Sequence, residues 1–203
     1  MATVALAHPL APEDRSRAEF YALLARLYAE APDHRLLRSI AGAQTMQGDS
    51  GLALSWNRLV AASSAMDEEA VAQEYTDLFV GVGQCDVNLH ASHWIAGAML
   101  DRPLADVRSA LAALGLGRRS DVFTLEDHLS ALFETMRLLV AGQDDRPPAS
   151  VAAQRAFFER YISSWAFSCC SAIRASSIAN YYARVAELTE QLMALDRDAL
   201  AME

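Results

Sequence analysis

Apolar residues recur every three or four positions along most of this chain, the spacing that lines one face of an α-helix. Phe20, Leu23, Leu24, Leu27 and Tyr28 predict a first helix from Glu13 to Glu30, with acids near its start and Pro32 as its stop. Leu36, Leu37 and Ile40 predict a short second helix, capped by Asp33 and closed by Gly42. Gln44–Gly51 reads as loop. A third helix, Ser50–Ser63, carries Leu54, Trp56 and Leu59, and a fourth runs from Met66 to Phe79. Leu89–Leu100 is apolar on most sides and is expected to be buried. Pro103 suits a first helical position, and Leu104–Leu114 then runs to the stop at Gly115 and Gly117. After a loop at Arg118–Val122, Leu125, His128, Leu129, Leu132, Phe133, Met136, Leu139 and Val140 trace an almost unbroken stripe. Its start, Thr124-Leu125-Glu126-Asp127, has the form of a capping box with a short acid. Gly142–Pro148 (GQDDRPP) reads as a linker, extending to residue 149. Helices resume at Ser150–Ser163 and Ala172–Leu195, the second with Ile178, Tyr181, Tyr182, Val185, Leu188 and Leu192 inward. No segment alternates with period two between hairpin turns, and no internal repeat is visible. The fold class is all-α, a single helical bundle of roughly eight to ten helices spanning residues 1–203, with residues 1–12 as a frayed end.

The stretch Gln73–Leu100 organises the rest. An amphipathic turn bearing Tyr75, Leu78 and Phe79 meets Gly81-Val82-Gly83, and two glycines in three residues end a helix readily because glycine takes positive φ freely. A polar segment, Gln84-Cys85-Asp86, leads to His90, Ser92, His93 and Trp94. Donor-bearing rings therefore gather beside a helix end and a flexible turn. On composition alone, a helix–loop–helix connection whose rings are simply core is the favoured reading.

Composition narrows the function classes. With 53% hydrophobic and 21% charged residues the chain can bury a sizeable core. The net charge is −9, and all 17 basic residues are arginine. The absence of lysine excludes Schiff-base chemistry and a phosphate-loop lysine. An acidic surface argues against nucleic acid and anionic membrane and suits a basic peptide. Cys85, Cys169 and Cys170 are too few for a disulfide framework. The opening residues MATVALAHPLAPEDR lack a basic region and an adequate apolar core, so no signal peptide is expected. Charge-free runs such as Tyr161–Ile173 fall short of the ~20 residues that span a bilayer. A soluble, cytoplasmic protein is expected.

Two catalytic or metal readings compete. Cys85, His90, His93 and His128 are ligand-type residues, and His90 and His93 at i, i+3 would share a helical face. No C-x-x-C or H-E-x-x-H spacing accompanies them. A serine hydrolase lacks its G-x-S-x-G elbow, and Asp127 beside His128 cannot orient it as a helix neighbour. A helical adaptor without peptide specificity would share the same fold.

Glu74-Tyr75-Thr76-Asp77-Leu78-Phe79-Val80-Gly81, followed by Ala91-Ser92-His93-Trp94, resembles the signature of the TorD/DmsD/NarJ family, cytoplasmic chaperones for molybdenum-cofactor oxidoreductases. The family reads E-Y-x-x-L-F-x-G-P-G; Val82 stands where proline is frequent. Phe123-Thr124-Leu125-Glu126-Asp127-His128 resembles the family's E-P-E-D-H, with Leu125 for proline and the last three residues matching. Phe157–Trp165 resembles F-x-x-x-H-L-x-P-W, with Tyr161 for histidine and Ser164 for proline, and Asn180–Leu188 resembles F-Y-x-x-L-A-x-L. The marks lie in order over residues 70–195.

The resemblance implies a chaperone and no enzymatic activity. It implies binding of the N-terminal, twin-arginine type signal peptide of an apo molybdoenzyme, which delays export while the cofactor is inserted. Formate dehydrogenases and DMSO/TMAO reductase-type enzymes are the implied clients. Such a peptide pairs two arginines with an apolar stretch, so its receptor needs an apolar groove with acids at one end. Tyr75, Leu78, Phe79, His90, Ser92, Trp94 and His128 are the residues for the groove. Glu126, Asp127 and Asp86 are those for the charge, with Asp127 as either a helix cap or an acceptor for a guanidinium. The Gly-Val-Gly turn would let the groove adapt. Family members include domain-swapped dimers, so monomer and swapped homodimer are both open. GTP binding has been proposed for some members, but no phosphate-cradling loop is present here, and no cofactor or metal is expected.

Overall fold

A computed structural model describes residues 10–81, 85–143 and 146–202. Among these the chain forms ten α-helices and no strand. The frayed start at residues 1–9, and Val82 and Gly83 of the expected hinge, lie outside the described residues.

The helices are α1 (Pro12–Ala29), α2 (His34–Ala41), α3 (Gly51–Ala65), α4 (Glu68–Tyr75), α5 (Ala91–Ala96), α6 (Arg102–Ala113), α7 (Leu129–Ala141), α8 (Val151–Phe158), α9 (Ala166–Ala175) and α10 (Tyr181–Ala201). Local chemistry fixes most starts. Asp33, Ser50, Asp67 and Ser150 each accept a backbone N–H from the first turn of the helix they precede. Both α4 and α8 end in one π-helical turn, Thr76–Val80 and Glu159–Ser163. The Gly81 N–H closes the first of these on the Thr76 carbonyl, and Gly81 itself sits at φ 63°, where the chain leaves the helix.

One hydrophobic cluster runs through the molecule, with α7 packed along α1 and α10 against α3, α8 and α9. Tyr21, Tyr28, Phe133, Phe158, Tyr181 and Tyr182 are its largest fully buried rings. Burial of such side chains stabilises by roughly 1.5–3 kcal/mol each relative to exposure.

The structure corrects several expectations. The helix after Thr124 starts only at Leu129, so no capping box forms there. Leu89–Leu100 is not buried throughout: Ile95, inside the six-residue α5, and Met99 and Leu100 beyond it are exposed. The single helix expected over Ala172–Leu195 is two, α9 and α10, broken at Ser176–Asn180, and Ile178 in the break is exposed. Within the expected linker Gly142 sits at φ 72°, Gln143 and Arg146 pair with each other, and the Ala149 N–H returns to the Leu139 carbonyl. A Cβ on Gly142 would stand 2.4 Å from the Arg146 carbonyl oxygen.

Candidate peptide-binding site

The residues singled out by the sequence divide into two groups. Tyr75, Leu78 and Phe79 belong to an aromatic cluster with Tyr28 and Tyr182, in which the Phe79 ring lies 5.2 Å from Tyr75 and 5.0 Å from Tyr182. Leu78 is wholly buried, while Tyr75 and Phe79 are half-buried. The Tyr75 hydroxyl donates to the Ala29 carbonyl at 3.0 Å, closing the C-terminal end of α1.

The second group forms where the loop before α5 meets the loop before α7. The Ala91 N–H donates to the Asp127 carbonyl (2.9 Å) and the Leu129 N–H to the Leu89 carbonyl (2.8 Å). These two bonds hold the His90 and His128 rings edge to face, 4.7 Å apart. The Val87 N–H donates to the Leu78 carbonyl and so links this group to the aromatic one.

Asp127 and His128 are neighbours with separate tasks. The Asp127 side chain is fully buried and turns away from its own helix toward α5. Its Oδ2 accepts the Ser92 N–H at 3.0 Å and the Ser92 hydroxyl at 2.5 Å, so it caps α5 from another part of the chain. Its Oδ1 has no hydrogen-bond partner among the described residues. His128 is the N-cap of α7: its Nδ1 accepts the Ser130 N–H at 3.2 Å and the Ser130 hydroxyl at 2.7 Å. Nδ1 therefore carries the lone pair, and the neutral ring places its proton on Nε2.

Burial, followed by the charge of His90, lowers the His128 pKa to about 3. Burial also lowers that of His90, His93 adds to this, and Asp127 opposes it. Both rings are neutral at pH 7. Trp94 is half-buried and its indole N–H donates to the Asn88 carbonyl at 2.7 Å.

The two remaining acids differ. Asp86 is exposed. Glu126 is held between Arg108 (2.9 Å) and Arg118 (3.2 Å). Burial works against its charge, but backbone hydrogen bonding and the two guanidinium groups outweigh it and keep the carboxyl below its ordinary range. Its charge is already satisfied within the chain.

The metal arrangement does not assemble. Among the described residues no three His, Cys, Asp or Glu side chains come together as a metal would require. His90 is the residue before α5, with its ring against His128, and His93 is exposed. Asn88 was not anticipated, yet its side chain accepts the His90 N–H at 2.9 Å and its carbonyl receives Trp94. An asparagine three residues before a helix start is the only signal the sequence offers for it.

Residues 46–171 match the model of a protein family described as nitrate reductase delta subunit. The chain belongs to that family. The match in this delta-subunit family takes in the loops that carry Asp86, His90, Trp94, Asp127 and His128, and leaves out α1, α2 and α10. The chain is also similar to a "Chaperone protein TorD" from Shewanella loihica, at 24% identity over 93% of this chain and 95% of that protein. Its fold is shared by a crystal structure, from Archaeoglobus fulgidus, of a candidate redox enzyme maturation protein. That likeness has a TM-score of 0.55 and 16% identity over 98% of this chain and 99% of the other. The resemblance in the motifs and the family match agree: this delta-subunit family member is a redox-enzyme maturation chaperone and not an enzyme. No helix among the described residues is long and apolar enough to cross a membrane.

Proposed function

We propose that the chain recognises the N-terminal, twin-arginine type peptide of an apo molybdoenzyme in the cytoplasm, at the junction of the α5 and α7 loops, and holds it during cofactor insertion. The observation that carries this reading is the Asp127 carboxylate, fully buried with one oxygen bound to Ser92 and the other without a partner. A buried unpaired acceptor is costly, and a guanidinium is the donor that relieves it best. The carboxylate is covered in the peptide-free chain, so the arginine enters as that cover shifts. Asp86 supplies a second, exposed charge at the same loop. His90, Trp94 and the Nε2 edge of His128 supply the apolar and donor surface for the stretch that follows the arginines.

Calorimetric titration with a synthetic twin-arginine peptide, against its Arg-to-Ala version, tests the reading. Affinity is expected to fall at least about tenfold without the arginines, and by a similar factor in Asp127→Asn. The circular dichroism of that variant checks that α5 remains. In a variant with Trp56→Phe and Trp165→Phe, the fluorescence of Trp94 is expected to shift on binding. Equal affinity for both peptides would refute the assignment.

A further inference from the structure

A second surface takes no part in that reading. A groove of about 1100 Å³ runs between α1, the loop after α6, and α7. Its lining includes small side chains: Ala22, Ala25 and Ala29, on one face of α1, and Ala131 of α7. Small side chains let a docked backbone approach closely. Arg26, Arg118, Arg119, Arg137 and Arg146 line its walls, against only two carboxylates, Glu126 and Glu134. In a chain with 26 acids and 17 arginines this lining is locally basic, although Arg26 is paired with Glu30 and Asp33 and Arg119 with Asp121 just outside it. Both carboxylates are already bound, Glu126 by Arg108 and Arg118, Glu134 by Arg137. The arginines keep donors in reserve. Arg119 and Arg137 each commit Nε and Nη2 to one carboxylate, which leaves Nη1 without a protein acceptor among the described residues.

The groove also has an apolar anchor point. At one end it joins a pocket of about 300 Å³ walled by Leu114, Leu116, Leu138, Leu139 and Pro147. Leu116, Leu138 and Arg146 line both cavities. Arg146 is fixed at the junction, where Nη1 donates to the Leu114 carbonyl at 2.7 Å and Nη2 to the Gly115 carbonyl at 2.9 Å.

We infer that this groove docks an acidic amphipathic segment of a partner protein. Carboxylates of that segment meet the arginine rim, and one large apolar side chain fills the leucine-walled pocket. A twin-arginine peptide is repelled by the same rim, so the two surfaces bind segments of opposite charge. They meet at Glu126, which lines the groove one residue from Asp127.

The test is fluorescence anisotropy of a rhodamine-labelled synthetic peptide of Glu and Asp around a single Phe. Its two controls are an amide version (Gln and Asn for the acids) and a Phe-to-Ala version. The acidic peptide is expected to bind, with affinity at least about tenfold weaker for either control. Arg119→Glu, at an exposed side chain with no role in the core, is expected to weaken it by a similar factor while twin-arginine peptide titration of the same variant is unchanged. The expected binding also persists when pyrophosphate is added at the peptide's concentration. The inference is overturned by no binding at peptide concentrations up to about 1 mM in low salt. Equal binding of acidic and amide forms overturns it too, as does displacement by pyrophosphate, which would mark a small-anion site. None of these outcomes depends on whether the α5–α7 junction binds a signal peptide.

Discussion

His128 is a neutral imidazole used as a helix cap, and that use makes the fold sensitive to acid. The unfolded chain takes up a proton near the ordinary histidine value of about 6.5, whereas the folded chain resists protonation of His128 down to about 3. A lowered histidine pKa therefore contributes nothing above pH 6.5, and stability is lost as pH falls from there toward 3. At pH 5 the loss from His128 is about 2 kcal/mol, and His90 acts in the same direction. Urea midpoints at pH 7.5 and pH 5 measure this. His128→Asn keeps a capping side chain and removes the titration, so the difference between the two midpoints is expected to shrink in the variant. An equal pH dependence in both proteins would show that other groups carry it. Asp127 and His128 were both legible as candidates because of their types and their place before an apolar stripe. Their division of labour was not, since the Ser92 that receives Asp127 lies 35 residues away.

Among the helices, the acid at the head of the Glu74–Gly81 motif has a clear structural task. Glu74 is buried in α4, and its carboxylate accepts the N–H groups of Asn180 (2.8 Å), Tyr181 (3.0 Å) and Tyr182 (2.7 Å). It caps α10 across 106 residues of sequence, much as Asp127 caps α5. Ser176, Ser177 and Asn180 are the local signals of the break before α10, but the apolar period runs on through Ile178, which is why α9 and α10 read as one helix. Strongly periodic elements such as α1, α3 and α7 were plain by contrast, because their apolar faces are written locally, although the start of α7 lies at Leu129 and not at Thr124. Glu74→Ala leaves the buried N–H groups of Tyr181 and Tyr182 and the part-buried one of Asn180 without their acceptor and is expected to destabilise by about 3 kcal/mol. Glu74→Gln, which retains one oxygen, is expected to cost less. Thermal or urea unfolding of the two variants decides it, and equal stability of Glu74→Ala and the parent would remove the cap from the account.

Across the whole molecule, the ends of the described chain are fastened to each other. Arg17 of α1 donates through Nε to Asp196 of α10 at 2.7 Å, and the Tyr21 hydroxyl donates to the same carboxylate at 2.6 Å. Asp196 is 1% exposed and Arg17 18%, so this pair is largely desolvated. Breaking it from one side strands a buried charge, and Arg17→Met is expected to cost about 3 kcal/mol. Arg17→Met with Asp196→Leu is expected to recover much of that loss, and a double-mutant cycle measures the coupling. A sum of the two single effects equal to the double would show no coupling.

The same fastening sets an order of events during synthesis. The apolar face of α1 leaves the ribosome well before α10 emerges. At about 5–20 residues per second, the early helices wait on the order of ten seconds or more for the partner that completes their burial. A maturation chaperone built this way passes through an exposed, sticky stage of its own before it can shelter another chain.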